Sequence, residues 1–338
     1  MEADPRSVQI LCERALAGEE LSRDEVVKLL GLKDLRNLEI LRQAAEEGLR
    51  RWVGPAVDIM YTLSISSFCA HNCLYCDFRA SNSSLERFRL TSEQIISSIR
   101  PLTDNPHGTI VLDGAQDPNL DLEFIEPILE ALRDNRPPVL SLGERKKDYY
   151  EKLRSYGVQR YILEHKTASP ILYNELHPER DYFDRLQSIR TLLGLGFNVG
   201  TSVTVGLPQQ DLWDLTDDFL QIRDLGLDTI IVGPFIPGTK SPLSESPRGT
   251  IQASLNAIAV ARLVLKDARI PGGLAMSMLD SGSGVEALRW GADCIICDVV
   301  HQPNEGKSCS VSPMCDSITT RIRSLGRRLA KTERMAHN

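Results

Sequence analysis

With 338 residues, 42% hydrophobic and 25% charged, and a net charge of −7, the chain suits one large α/β domain or two ordinary ones and can bury a sizeable core. No apolar run is long enough to cross a bilayer, and nothing in composition or charge marks a membrane or generic nucleic-acid binder. The N-terminus MEADPRSVQILCERALAGEE lacks the basic start and apolar stretch of a signal peptide, which points to the cytoplasm. In that compartment eight cysteines speak for metal or redox chemistry rather than disulfides.

Residues 5–50 read as polar helices, with Ser22 and Glu25 in LSRDEV forming a capping-box signature. They make residues 1–56 an N-terminal helical extension. From residue 57 short apolar, β-branched runs alternate with amphipathic helical stretches. The expected strands are VDIMYTLSIS, TIVLDG, VLSLG, RYILEH, NVGTSVTVGL, TIIVGPF, LAMSML and DCIICD. Between them lie helical segments such as TSEQIISSIR, YFDRLQSIRTLLGLG and TIQASLNAIAVARLVLKDA. Eight alternations predict a (β/α)8 TIM-type barrel over residues 57–300, with its active site at the C-terminal ends of the strands. A doubly wound open sheet is the alternative, but no phosphate-binding glycine fingerprint follows the first strand. Residues 301–338 form a cysteine-containing tail with a basic last helix.

The loop after the first strand carries Cys69, Cys73 and Cys76 in CAHNCLYC. A structural zinc needs a fourth protein ligand, and His71, inside the same short loop, is awkwardly placed to be one. Three thiolates instead suit a 4Fe-4S cubane whose fourth iron is left open for another molecule.

CAHNCLYC resembles the C-x3-C-x-aromatic-C signature of the radical S-adenosylmethionine (SAM) superfamily. The resemblance implies that SAM chelates the open iron and is cleaved reductively to a 5′-deoxyadenosyl radical that activates a C–H bond. Further SAM contacts are implied one by one. Gly114, Ala115 and Gln116 in VLDGAQDP stand where the superfamily has Gly-Gly-Glu toward the methionine amine. Arg185 in FDRLQSIRTLLGLGF stands where an arginine clamps the SAM carboxylate. TVGLPQQ, beginning at Val205, resembles the loop holding the adenine side, and Tyr75 would pack near the adenine. No catalytic residue is assigned beyond these. Within the superfamily the chain is similar to the group of biotin synthase, methylornithine synthase and the iron-only hydrogenase maturase; SLGERKKDYYEKLRSYGVQRYILEHKTASP and GPFIPGTKSPL resemble the maturase in particular. A departure lies at His165, Lys166 and Thr167, where those relatives carry an acid in the middle.

Cys294 and Cys297 in GADCIICDVV, with Cys309 and Cys315 in GKSCSVSPMCDS, supply enough thiolates for an auxiliary iron–sulfur cluster. A closed structural zinc and unrelated buried or surface cysteines are the alternatives. The last helix carries Arg321, Arg323, Arg327, Arg328, Lys331 and Arg334, either a solvated face or a dock for an acidic partner. The leading expectation is therefore a lipoyl-synthase-like sulfur insertion, related to biotin synthase. Its substrate would be a small molecule or an acyl-carrying lipoyl domain, its electron donor a ferredoxin or flavodoxin, and a second radical SAM subunit its partner. A hydrogenase-cofactor maturase or a methylornithine-type rearrangement is the alternative, and a non-catalytic electron-transfer or metal-sensing protein the third reading.

Overall fold

The computed structural model describes residues 4–103, 107–132, 137–301, 309–311 and 318–330. Three helices open the chain: α1 (Pro5–Leu16), α2 (Arg23–Leu30) and α3 (Leu35–Trp52). The first N–H groups of a helix have no intrahelical acceptor, and Asp4, Ser22 and Asp34 supply one here. At α2, Ser22 and Glu25 form the reciprocal capping box that the sequence signals.

Eight parallel strands follow: β1 (Ala56–Ser64), β2 (Thr109–Asp113), β3 (Val139–Ser141), β4 (Arg160–Ile162), β5 (Asn198–Val205), β6 (Thr229–Pro234), β7 (Pro271–Gly272) and β8 (Cys294–His301). Each pairs with the next, and β8 returns to β1 from Asp58↔Cys294 to Leu63↔Val299, closing the barrel. The outer layer is α4 (Ser92–Thr103), α5 (Leu122–Ala131), α6 (Lys147–Ser155), α7 (Pro170–Leu176), α8 (Tyr182–Gly194), α9 (Leu212–Leu225), α10 (Ile251–Leu265), α11 (Leu274–Leu279) and α12 (Ser283–Glu286). The α3 helix packs on α10, so the N-terminal extension covers the side of the barrel. Gly291 (φ 102°) permits this: a Cβ there would lie 2.8 Å from Arg262 Cβ and 3.3 Å from Ala45 Cβ.

Two expected elements differ. LAMSML is helix α11, not the seventh strand, and β7 is the dipeptide Pro271–Gly272 before it. A short apolar run bounded by glycine does not distinguish strand from helix. The long basic C-terminal helix is also broken. Cys309–Val311 forms β9, antiparallel to the end of β8. Helix α13 (Ile318–Ser324) stops before Gly326 (φ 70°), and β10 (Arg328–Leu329) then pairs with Ala56 and Val57. Arg321, Arg323, Arg327 and Arg328 therefore do not lie along one continuous helix. Arg321 donates to the carbonyls of Ser281 and Gly282, and Arg327 to those of Pro55, Leu288 and Ala292. Lys331 and Arg334 lie outside the described residues.

Strand residues alternate between barrel interior and helix layer. Met60, Val111, Val139, Ile162, Ile231, Cys294 and Ile296 form an interior cluster separate from the main core. Below it, at the strands' N-terminal ends, Asp58 pairs with Arg269, and Arg160 with Asp228 at 2.8 Å. A cavity of about 860 Å³ opens beside these pairs. Two residues above the apolar layer, the same alternation brings in Thr62, Asp113, Ser141, Glu164 and Asp298.

Two buried histidines are neutral by construction. Thr201 Oγ1 donates to Leu163 O (3.1 Å), so it accepts from His165 Nδ1 (2.7 Å), while His165 Nε2 is buried without a hydrogen-bond partner. His177 Nδ1 donates to Tyr173 O (2.7 Å), leaving Nε2 to accept from Tyr75 Oη (2.9 Å). Burial lowers His165 to about 3 and His177 to about 4. The unfolded chain protonates these imidazoles from about pH 6.5 downward and the folded one does not, so stability present above that pH is lost as pH falls toward 4. The thermal midpoint should drop between pH 7 and pH 5, and His177→Gln should show a shallower drop; an equal slope in the variant would contradict this.

Arg262, at 0% exposure, donates to Gly291 O (2.8 Å), Ala268 O (2.7 Å), Lys266 O and Asp293 Oδ1 (2.8 Å). Arg262→Ala strands a buried carboxylate and several carbonyls, and should cost about 3–5 kcal/mol in urea unfolding. Arg262→Lys, lacking the fork, should recover only part of that loss.

Candidate active site

Cys69, Cys73 and Cys76 sit on the loop that leaves β1 at the barrel's C-terminal end, where the sequence places them. The loop has almost no ladder, so its backbone groups must be satisfied by other means. Ser67 N donates to Phe88 O, Ala70 N to Gln116 O and Leu74 N to Leu176 O, each at 2.9 Å, while Gly238 N donates to Tyr75 O at 2.8 Å. The Asp77 carboxylate accepts from Thr239 N (3.1 Å) and Lys240 N (2.8 Å). Arg87 donates to the carbonyls of Ser67, Phe78, Arg79 and Asn82. Asp117, fully buried, accepts from Ser66 Oγ (2.6 Å) and pairs with Arg89 (2.6 Å). The cysteine loop is thus fixed to the loops after β2 and β6 and to the end of α7.

The thiols feel one another's charge, and burial pushes Cys73 and Cys76 up to about 11. They ionise readily only opposite a strong positive charge such as iron's. Backbone N–H groups of His71 and Phe78 point at the sulfurs of Cys69 and Cys76, each at 3.4 Å. Three thiolates on one loop leave a zinc tetrahedron one protein ligand short. A cubane takes one thiolate at each of three separate corners, which suits sulfurs that share a loop without meeting. His71 Nε2, on the same loop, is buried without a hydrogen-bond partner. The residues present fit a 4Fe-4S cluster.

Of the other expected contacts, Gly114 is packed between Leu120 and Leu142, whose methyl groups would have to shift to admit a Cβ. Ala115 has φ 47° and turns the chain so that Gln116 reaches Glu144. Gln116 Nε2 donates to Glu144 O and its Oε1 accepts from Glu144 N, both at 2.7 Å. Arg185, 5% exposed, pairs through Nε with Glu144 (2.7 Å), and Arg180 pairs with the same carboxylate (3.0 Å). Cys73 and His71 both feel the charge of Arg185, which places it beside the cysteine loop. Glu144, overlooked in the sequence, organises this side of the site; its signal is an acid directly after Gly143, which closes the third strand run. Val205 is buried, and its carbonyl accepts from Phe235 N at 2.8 Å. The turn after it is held by Gln210, which accepts from Gly206 N (2.7 Å) and donates to Thr204 O (2.9 Å).

Cys294 and Cys297 are not brought together. Cys294 begins β8 and belongs to the interior apolar cluster, whereas Cys297, three residues on, belongs to the core between strands and helices. An odd separation along a strand sends the two thiols to opposite faces. Cys294 also lies among Asp58, Arg269 and Arg160 at the N-terminal end, away from the cysteine loop, and Cys297 is mid-strand rather than at the rim. These two cannot ligate one cluster. The Cys309 side chain and all of Cys315 lie outside the described residues.

Above the apolar layer the barrel interior turns polar. Asp113 accepts from Ser141 Oγ at 2.7 Å, and Lys166 pairs with Glu164 at 2.5 Å. Burial pushes the Asp113 carboxyl up to about 6, with Glu164 and Asp298 adding repulsion and Ser141 and Lys166 opposing it. Cys73 and Cys76 feel Lys166 as well, so its ammonium stands between this layer and the cysteine loop. Sequence reasoning singled out Lys166 alone among these. Charged residues two positions beyond apolar interior ones were the available signal.

The chain matches the model of the Radical SAM superfamily over residues 63–238. It is 36% identical over 278 residues to the FeFe hydrogenase maturase subunit HydE of Thermotoga maritima, covering 82% of this chain and 80% of the relative. The 3-methylornithine synthase of Methanosarcina acetivorans is 23% identical over 272 residues, covering 79% and 77%. A crystal structure of methylornithine synthase superposes with a TM-score of 0.83 at 21% identity over 96% of this chain and 98% of that one, a likeness of fold. Among the described residues no helix is long and apolar enough to cross a membrane. A family implying a 4Fe-4S cluster and SAM thus meets a thiol loop fitted to that cluster, and the chain belongs to the radical SAM superfamily.

Proposed function

We propose that the protein is a radical SAM enzyme of the hydrogenase-maturase kind, acting on a small molecule held in the barrel's C-terminal mouth. The observation that carries this is the 36% identity to the HydE maturase subunit over 82% of the chain. A second argument disfavours sulfur insertion: Cys294 and Cys297 occupy opposite faces of β8, so no sacrificial cluster can be anchored on both.

Bound at the loop, the cluster and SAM would supply electron transfer and hydrogen-atom abstraction. The chain's own residues do the rest. Cys69, Cys73 and Cys76 would each hold one iron. Arg185, tied to Glu144, is positioned for a carboxylate near the cysteine loop. Tyr75, fixed by His177, packs its ring against Leu176, Leu207 and Phe235. The apolar interior layer closes the floor and excludes water from below. The electron donor in this reading is an external ferredoxin or flavodoxin, and neither a lipoyl domain nor a second subunit is required.

Anaerobically reconstituted protein with dithionite and SAM should release 5′-deoxyadenosine, and Cys73→Ala should reduce this to background. Iron should number about four per chain and stay there in Cys297→Ala. Product from the Cys69→Ala, Cys73→Ala, Cys76→Ala triple variant would end the radical reading. About eight irons, half of them lost in Cys297→Ala, would restore sulfur insertion.

A further inference from the structure

A cubane held by three thiolates carries net negative charge before it accepts an electron, so the charges fixed around it bear on how readily that electron enters. Cys73 feels two cations, Arg185 and Lys166. Arg185 lies against Glu144, which follows β3. Lys166 is held in another way.

Lys166 adopts φ 69°, an unfavourable conformation for a residue with a Cβ, and such strain persists only where the surroundings impose it. Here β5 imposes it. Lys166 N donates to Ser202 O (3.1 Å), Thr204 N donates to Lys166 O (3.0 Å), and Lys166 forms an isolated parallel bridge with Val203. The residues that follow are fixed from α9, where the fully buried Asp218 accepts from Ala168 N and Thr167 Oγ1. The chain then enters α7, whose last carbonyl, Leu176 O, accepts from Leu74 N between Cys73 and Cys76 at 2.9 Å. One short stretch thus joins the strained lysine to the cysteine loop.

The side chain is constrained as well. It is 23% exposed, and Nζ lies 2.5 Å from Glu164 Oε2. Cys73 and Cys76 feel this ammonium ahead of the carboxylate it pairs with. Asp113, in the barrel interior, feels Glu164 ahead of Lys166. The ion pair is therefore oriented, with its positive end toward the thiols and its negative end toward the interior.

This deepens the reading above and rests on it: we propose that Lys166 is a positioning residue for charge, its clamped ammonium raising the reduction potential of the 4Fe-4S group that Cys69, Cys73 and Cys76 would hold. The step it acts on is a single electron transfer. The external donor loses one electron and the cluster gains it; no bond forms or breaks, and the site becomes one unit more negative. A fixed positive charge stabilises that reduced form, and Glu164 opposes it.

The test is an anaerobic redox titration of the reconstituted protein without SAM, following the electron paramagnetic resonance signal of the reduced cluster. Lys166→Met, similar in length and uncharged, should make one-electron reduction at least about threefold less favourable, a fall of about 28 mV at about 59 mV per tenfold. Glu164→Gln should raise the midpoint, and Lys166→Arg should hold it within the same margin of the parent. A lysine that only supports the fold would give no such pair of opposite shifts. A smaller fall in Lys166→Met, no rise in Glu164→Gln, or as large a fall in Lys166→Arg overturns the proposal. If Lys166→Met takes up no iron, the sign of the Glu164→Gln shift decides. The two readings fail separately. Protein that forms 5′-deoxyadenosine while the variants titrate like the parent keeps the radical assignment and loses this one. Protein whose midpoints shift as stated but that never cleaves SAM does the reverse.

Discussion

The parallel pairing of β1 with β8 is the contact on which the site depends. Once the sheet closes, every second residue of each strand is committed to a cylinder just wide enough for side chains to fill. One ring of Met60, Val111, Val139, Ile162, Ile231 and Ile296 seals it. What lies on either side of that seal is then decided by the next interior residue of each strand. Toward the N-terminal ends these include Asp58 and Arg160, compensated by Arg269 and Asp228 from just before β7 and β6. Toward the C-terminal ends they are carboxylates and hydroxyls with fewer partners of their own. The same alternation that builds the barrel therefore separates a self-satisfied end from a ligand-seeking one.

Rigidity at the ligand-seeking end comes from side chains rather than from secondary structure. A single guanidinium, Arg87, gathers carbonyls from both ends of the cysteine loop. Asp77 reaches across to the loop after β6, and Gln116 bridges to Glu144 after β3. Charge-assisted hydrogen bonds of this kind are the stronger ones, and several act on one short segment. The electrostatic result suits three thiolates: Arg185 and Lys166 both oppose the rise that burial imposes on Cys73.

Much of this was legible in the sequence, because strands of β-branched residues and capped helices advertise themselves locally. The capping box at Ser22, the alternation of elements and the position of CAHNCLYC after β1 all follow from local pattern. The seventh strand did not, since Pro271–Gly272 is too short to carry a pattern and the apolar run after it is a helix. Gly326 and the docking of Arg328 and Leu329 on β1 broke the C-terminal helix through a contact some 270 residues away in sequence. Cys294 and Cys297 differ for another reason. A C-x2-C spacing brings thiols together in a loop or turn, but in a strand, which DCIICD predicts, it drives them apart. The interior carboxylates were readable on the same logic, as the residues two steps beyond Val111 and Ile296.

The relationship to known enzymes and the polar interior speak to different halves of the chemistry. Shared fold and cysteine loop bear on how the cofactor is held, and a fold hosts many substrates. The residues that vary with substrate are expected on the strand ends and the loops beyond them. His165, Lys166 and Thr167 lie there. Lys166 is held in place by its surroundings. Its left-handed backbone is enforced by hydrogen bonds to β5 and by a buried carboxylate, Asp218, reaching in from α9. A surface lysine needs no such support. That backbone sets the ammonium beside Glu164 and where Cys73 and Cys76 feel its charge.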